Sequence, residues 1–223
     1  MGTYHIVVLG GDGIGPEVTG EAARVLRVVG QRFGHTFELT EALCGMRAVE
    51  AEGASISDAT MALCQQSDAI LFGAVGGGPP GDPRSPKQPE YALFRLRKEC
   101  ELFANVRPVK TRAGLIDAST IKPEVLAGVD LVVMRELTGG LYYGRPSEIR
   151  EGPDGAEAVD TLFYTEKEIE RAVRMAFELA RSRRKTVTSV DKANVLSSSR
   201  LWRQVATRVA ADYPDMTLNH LLV

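Results

Sequence analysis

The sequence predicts an α/β protein in which short parallel strands are covered by helices. Apolar runs of strand length, at 5–9, 36–39 and 69–72, alternate with segments whose apolar residues recur at helical spacing. A glycine-rich turn at 10–15 joins the first strand to the first helix. Pro16 then sits at a first helical position, where its missing N–H has no intrahelical partner to lose. The β-α-β-α-β order requires crossovers, and crossovers build a parallel sheet.

In the first helix Val18, Ala22, Val25, Leu26 and Val29 recur at helical spacing, and Gly30 or Gly34 ends it. A helix at 58–66 follows, with Ser57 or Asp58 as its cap. Residues 76–90 are dense in Gly and Pro and read as an exposed loop. Helical pattern returns at 91–101, and strand-like stretches follow at 102–106 and 128–134. A domain change near residue 100 is expected, giving a first α/β domain over 1–100 and a second over 101–223. Residues 142–164 carry Gly144, Pro146, Gly152, Pro153 and Gly155 between extended stretches. They read as a projecting hairpin arm with little core of its own, suited to packing on a partner subunit. Thr165-Glu166-Lys167-Glu168 is a capping box. It opens a helix with Ile169, Ala172, Val173, Ala176, Phe177 and Ala180 as its buried stripe. Arg181, Arg183, Arg184 and Lys185 close that helix and read as solvated cations at its C-terminus. A strand at 186–190 and a helix with Leu201, Trp202, Val205, Ala206 and Val209 on one face come next. The stretch 216–223 looks like a further strand.

The 223 residues are 44% hydrophobic and 25% charged, an ordinary globular mix with room for one large or two modest domains. A net charge of -2 argues against a nucleic-acid partner. Three cysteines and three histidines stand far apart and form neither a disulfide framework nor a zinc spacing. The cysteines read as reduced thiols. No signal peptide and no run long enough to span a bilayer is seen, so the expected location is the cytoplasm, with no membrane partner.

The candidate chemistry lies just past two apolar runs. Leu131-Val132-Val133-Met134 leads into Arg135 and, beyond Gly139-Gly140-Leu141, Tyr142. Thr186-Val187-Thr188-Ser189-Val190 leads into Asp191, Lys192 and Asn194. In open α/β sheets ligands bind beyond the carboxyl ends of strands. Arginine matches carboxylates in bidentate geometry, so Arg97, Arg107 and Arg135 together suit a dicarboxylate. Tyr142 and Lys192 are weak acids suited to moving protons. The loop Gly11-Asp12-Gly13-Ile14-Gly15-Pro16 departs from the dinucleotide fingerprint. Its third glycine arrives one residue early and a proline follows. It reads as a strand-to-helix turn, not a true Rossmann phosphate loop.

Several long motifs occur in order and in register: Gly10-Gly11-Asp12-Gly13-Ile14-Gly15-Pro16-Glu17, Leu96-Arg97-Lys98, Leu102-Phe103-Ala104-Asn105-Val106-Arg107-Pro108, Arg135-Glu136-Leu137-Thr138-Gly139-Gly140 and Ser189-Val190-Asp191-Lys192-Ala193-Asn194-Val195-Leu196. With them the chain resembles the isocitrate/isopropylmalate β-decarboxylating dehydrogenases from residue 5 to residue 223. The resemblance implies the isopropylmalate dehydrogenase-like fold: two domains, parallel and mixed sheets, helices on both faces and the projecting arm. It implies an NAD-dependent enzyme, with Mg²⁺ or Mn²⁺, that oxidises a 2-hydroxy acid and then decarboxylates it. By motif, Arg97, Arg107 and Arg135 bind the substrate carboxylates, and Tyr142 protonates the enol left by CO₂. Lys192 assists deprotonation of the hydroxyl and reaches the site of a neighbouring subunit in a homodimer. Glu90, Asn194 and Ile14 lie near the cofactor. Leu93, with Phe94, offers apolar surface that suits an isopropyl group in leucine biosynthesis. Homoisocitrate, isocitrate or tartrate specificity, and a noncatalytic regulatory subunit, are the alternatives. Retention of all five of Arg97, Arg107, Arg135, Tyr142 and Lys192 argues against the last. The metal-binding aspartates of the family are expected beyond Val223, as are strands that complete the first domain. Residues 1–223 alone are therefore expected to be inactive.

Overall fold

In the computed structural model, residues 1–78, 81 and 85–223 are described. The chain divides into two units, Met1–Glu101 and Leu102–Val223.

The first unit opens with β1 (Thr3–Gly11), α1 (Gly15–Phe33) and β2 (Thr36–Ala42). Then come α2 (Met46–Glu52), α3 (Asp58–Gln66), β3 (Ala69–Ala74) and α4 (Tyr91–Glu99). Its sheet has the order β2-β1-β3, all parallel, with Ile6 facing Leu39 on one side and Ala69 on the other. β1 is central and covered on both faces, which is why its apolar run is unbroken. Val7 and Leu9 join Cys44, Ile56, Met61, Cys64, Ala92 and Leu96 in one core.

The apolar set that marks α1 in the sequence is not the face that packs. Gly15, Thr19, Ala23 and Gly30 are buried, while Val18 and Val25 are exposed and Ala22 and Leu26 are half-buried. The cause is close approach. A Cβ on Gly15 would lie 2.0 Å from the carbonyl oxygen of Gly10, and one on Gly30 would lie 2.6 Å from that of His35. Only small residues fit against the sheet, so the branched ones turn outward. Gly34, in the left-handed region at φ 71°, ends α1. Ser57 caps α3 by accepting the amide of Thr60. α2 has no counterpart among the sequence expectations, because seven residues are too few to show a period. Of the expected loop over 76–90, residues 79–80 and 82–84 lie outside the described residues.

The second unit contains β4 (Ala104–Lys110), α5 (Pro123–Leu126), β5 (Asp130–Glu136), β6 (Ser147–Gly152) and β7 (Gly155–Asp160). It continues with α6 (Glu166–Arg181), β8 (Thr186–Asp191), α7 (Ser197–Ala210) and β9 (Thr217–Leu222). β4 and β5 are antiparallel, β6 and β7 form the hairpin arm, and β8 and β9 are parallel. The arm is nearly all exposed, Ile149 at 79%. Thr165 and Glu168 make the expected capping box, and α6 and α7 share a core of Ile169, Val173, Phe177, Val205, Ala206, Val209 and Tyr213. Phe177 stacks on Tyr213 with ring centroids 4.6 Å apart.

The basic cluster after α6 is not simply solvated. Arg181 pairs with Glu178 and Lys185 with Asp215, each at 2.7 Å. Arg183 pairs with the carboxylate of Asp130, and Arg184 donates to the Asp130 carbonyl. Arg183 and Arg184 therefore fasten the start of β5 to the loop that leads into β8.

Phe177 is fully buried at the centre of its core, so Phe177→Ala should cost about 3–5 kcal/mol in urea unfolding. Thr165→Ala, which removes only a cap, should cost about 1 kcal/mol.

Candidate active site

β4 and β5 pair so that Asn105 lies opposite Arg135 and Arg107 opposite Val133. Directly opposed residues, and residues two apart on a strand, share a face. Asn105, Arg107 and Arg135 therefore stand together. Arg107 Nε donates to Asn105 Oδ1 at 2.6 Å. Past β5 the chain makes a 3-10 turn over Gly140–Tyr142, which sets the Tyr142 ring 5.3 Å from the Arg135 guanidinium carbon. This is cation–π distance. Arg107, Arg135 and Tyr142 are all exposed. None of the ion pairs among the described residues involves Arg107 or Arg135, whereas Arg95, Arg171, Arg174 and Arg203 each hold a carboxylate.

The residue next to Arg135 faces the other way. Glu136 has a side chain only 1% exposed. It accepts the amides of Thr138 and Gly139, both at 2.8 Å, and the Thr138 hydroxyl at 2.6 Å. Arg171, from α6, completes the set at 3.1 Å and also bonds the Thr138 hydroxyl. Its guanidinium carbon lies 4.9 Å from the centre of the Phe103 ring. The glycines beyond are needed for close approach. A Cβ on Gly140, at φ 78°, would lie 2.4 Å from the Tyr164 hydroxyl oxygen. Burial pushes the Tyr164 phenol up, and the Glu136 charge adds to it.

The second turn is built alike. Asp191 ends β8 with its side chain 1% exposed. It accepts Arg203 of α7 in a two-bond fork, both at 2.9 Å, and the Ala193 amide at 2.9 Å. His220, on β9, lies 4.0 Å away and contacts the Thr207 hydroxyl through its other nitrogen. Burial pushes the Asp191 carboxyl up, but Arg203 and the Ala193 amide outweigh it, and the net value lies below the usual carboxylate range. Lys192 and Asn194 are exposed on the turn itself, and Lys192 Nζ donates to the Val223 carbonyl.

In the first unit, Glu90, Leu93, Phe94 and Arg97 stand at i, i+3, i+4 and i+7 and share one half-buried face of α4. The opposite face sends Ala92 and Leu96 into the core. Ile14 is exposed at the start of α1.

The glycine loop serves packing. Asp12 turns its carboxylate onto the amides of Met46 at 3.0 Å, Arg47 at 3.3 Å and Gly76 at 3.1 Å. A Cβ on Gly11 would lie 1.9 Å from the Ala74 carbonyl oxygen. The loop ties β1, α2 and the end of β3 together. The three amides lie on α2 and just after β3, so the carboxylate works as a tie between segments.

Among the described residues no three His, Cys, Asp or Glu side chains come together to hold a metal. No helix among the described residues is long and apolar enough to cross a membrane. Burial pushes the Cys44 thiol up to about 12 and the Cys64 thiol up to about 11.

Glu136, Asp191 and Asp12 stand in the sequence motifs without a role, and Arg171 and Arg203 do not figure among the sequence expectations. The available signal is an acid beside a candidate cation at the end of an apolar strand, with arginines on the helices that follow.

Fold and turns together define a two-unit α/β protein that exposes two guanidinium groups and a phenol together at one strand end. The isocitrate/isopropylmalate dehydrogenase family profile matches residues 5–223. The 3-isopropylmalate dehydrogenase of Bacillus caldotenax is 55% identical over all of this chain and 61% of its own length. That of Geobacillus kaustophilus is 55% identical over all of this chain and 60% of its own. The crystal structure of isocitrate dehydrogenase from Methylococcus capsulatus superposes with a TM-score of 0.77 at 31% identity, over 98% of this chain and 60% of that one. The chain belongs to the isocitrate/isopropylmalate dehydrogenase family, a family of dehydrogenase enzymes. It spans about three-fifths of the length of the curated relatives it matches.

Two solution properties follow from the site's electrostatics. Asp191 is held below its ordinary value when folded, so its contribution to stability is complete above about pH 4 and is lost as pH falls through the folded value. Urea midpoints should drop more steeply below pH 4 in the parent than in Asp191→Asn. Cys44 and Cys64 should resist a thiol reagent at pH 8 until denaturant is added, because burial disfavours both thiolates.

Proposed function

We propose that this chain is the substrate-gripping portion of an NAD-dependent 3-isopropylmalate dehydrogenase acting in leucine biosynthesis in the cytoplasm. The observation that carries the reading is the exposed face shared by Arg107 and Arg135, with Tyr142 stacked on the second and, among the described residues, no carboxylate in an ion pair with either guanidinium. Cations left without acids suit an anionic ligand. The identities to named 3-isopropylmalate dehydrogenases support the choice within the family.

Arg97, Arg107 and Arg135 hold the two substrate carboxylates as bidentate partners. Lys192 takes the proton of the substrate hydroxyl as hydride leaves the same carbon. The resulting keto acid loses CO₂, and Tyr142 delivers a proton to the carbon that carried it. NAD, when bound, accepts the hydride; Glu90 and Asn194 would lie near its nicotinamide, and Ile14 would also line the cofactor site. Leu93 and Phe94, on the face of α4 that carries Arg97, supply apolar surface for an isopropyl group. The hairpin arm is proposed as a homodimer contact, since its exposed apolar residues have little core of their own.

The test is substrate-dependent NAD reduction with Mn²⁺ present. A polypeptide extended to the length of the relatives should turn over isopropylmalate faster than isocitrate, homoisocitrate or tartrate. Residues 1–223 alone should give none, and measurable NADH from them would overturn that expectation. In the extended enzyme, Arg135→Lys should raise KM about tenfold or more, because a point charge replaces a fork. Tyr142→Phe should lower kcat by about a hundredfold or more with little change in KM.

A further inference from the structure

Two buried acids stand beside two of the groups to which the proposed chemistry is given. Glu136 follows Arg135, and Asp191 precedes Lys192. The surroundings of the acids match in kind. Each carboxylate is 1% exposed and lies at the last residue of a strand. Each accepts an arginine from a helix of the same unit, Arg171 for Glu136 and Arg203 for Asp191. Each also accepts backbone amides from the turn that follows, Thr138 and Gly139 in one case and Ala193 in the other.

We infer that Glu136 and Asp191 are positioning residues for the reaction, setting the Arg135–Tyr142 pair and the Lys192–Asn194 turn. The inference rests on the proposed function for its chemistry and on the geometry for its structural content. Successive strand residues point to opposite faces. Anchoring Glu136 inward therefore fixes Arg135 outward, and the amides it gathers fold the chain so that Tyr142 returns beneath Arg135. Anchoring Asp191 inward pins the end of β8, and the Ala193 bond shapes the turn beyond it, on which Lys192 is exposed. Neither acid lies on the exposed face, so neither is placed to touch substrate. Their work is to remove freedom from the groups that would, and placement of reacting groups is a large share of catalysis.

An ordinary structural role would predict that function simply follows stability. Paired double variants separate the two. In every pair the arginine becomes methionine, so that no buried cation is left alone. Asp191→Asn/Arg203→Met keeps an acceptor for the Ala193 amide, and Asp191→Ala/Arg203→Met removes it. Glu136→Gln/Arg171→Met and Glu136→Ala/Arg171→Met do the same for Thr138 and Gly139. Amide exchange at these three positions, read in the full chain by NMR, should be about tenfold faster in the alanine members. The side-chain signals of Lys192 and of Tyr142 should shift in the alanine members and return toward the parent in the amide members. In the extended enzyme, the Asp191 alanine pair should lower kcat about tenfold or more, with a smaller change in KM. The Glu136 alanine pair should raise KM as well, since Arg135 binds. Equal exchange and unmoved Lys192 and Tyr142 signals in both members, at matched urea midpoints, would overturn the inference. Absence of turnover in the parent enzyme would refute the isopropylmalate reading instead, and the exchange comparison would still decide the positioning role.

Discussion

A strand residue cannot face both ways, and the candidate site depends on that constraint. Where only one face of a strand is covered, burying one member of a neighbouring pair exposes the other. At the end of β5 the buried member is Glu136 and the exposed one Arg135. At the end of β8 the buried member is Asp191 and the exposed one Lys192. An acid withdrawn from water needs partners, because an unpaired buried charge is strongly destabilising. Both acids find them in an arginine and the amides of the next turn, so the folding requirement of the acid becomes the geometry of the cation beside it.

The same arginines link layers. Arg171 joins α6 to the turn after β5 and lays its guanidinium on Phe103, while Arg203 joins α7 to the end of β8. Arg183 and Arg184 fasten Asp130, at the start of β5, to the loop before β8. Much of the second unit's polar bonding thus runs between helices and strand ends, where the candidate groups are mounted. Its apolar core is separate and lies where α6 and α7 meet.

Much of this was legible in the sequence because the signals were local. The capping box at Thr165, the α6 stripe through Phe177, and the strands before Arg135 and Lys192 all appear as expected. What was not legible depends on contacts between segments distant in sequence. The packing face of α1 is set by how closely Gly15 and Gly30 approach the sheet, which hydrophobic periodicity does not register. The short α2 is held by Asp12, thirty-four residues upstream of Met46. Glu136 and Asp191 look like ordinary surface acids until the strand's facing is known. The cations after α6 look solvated until Asp130 and Asp215 are placed beside them.

Asp12 gives the glycine loop a character of its own. The amides it takes lie outside the glycine turn, on α2 and just after β3. One short side chain thus acts as a rivet through three stretches of chain. The bend, the short helix and the end of the neighbouring strand are a single mechanical unit fastened at one point.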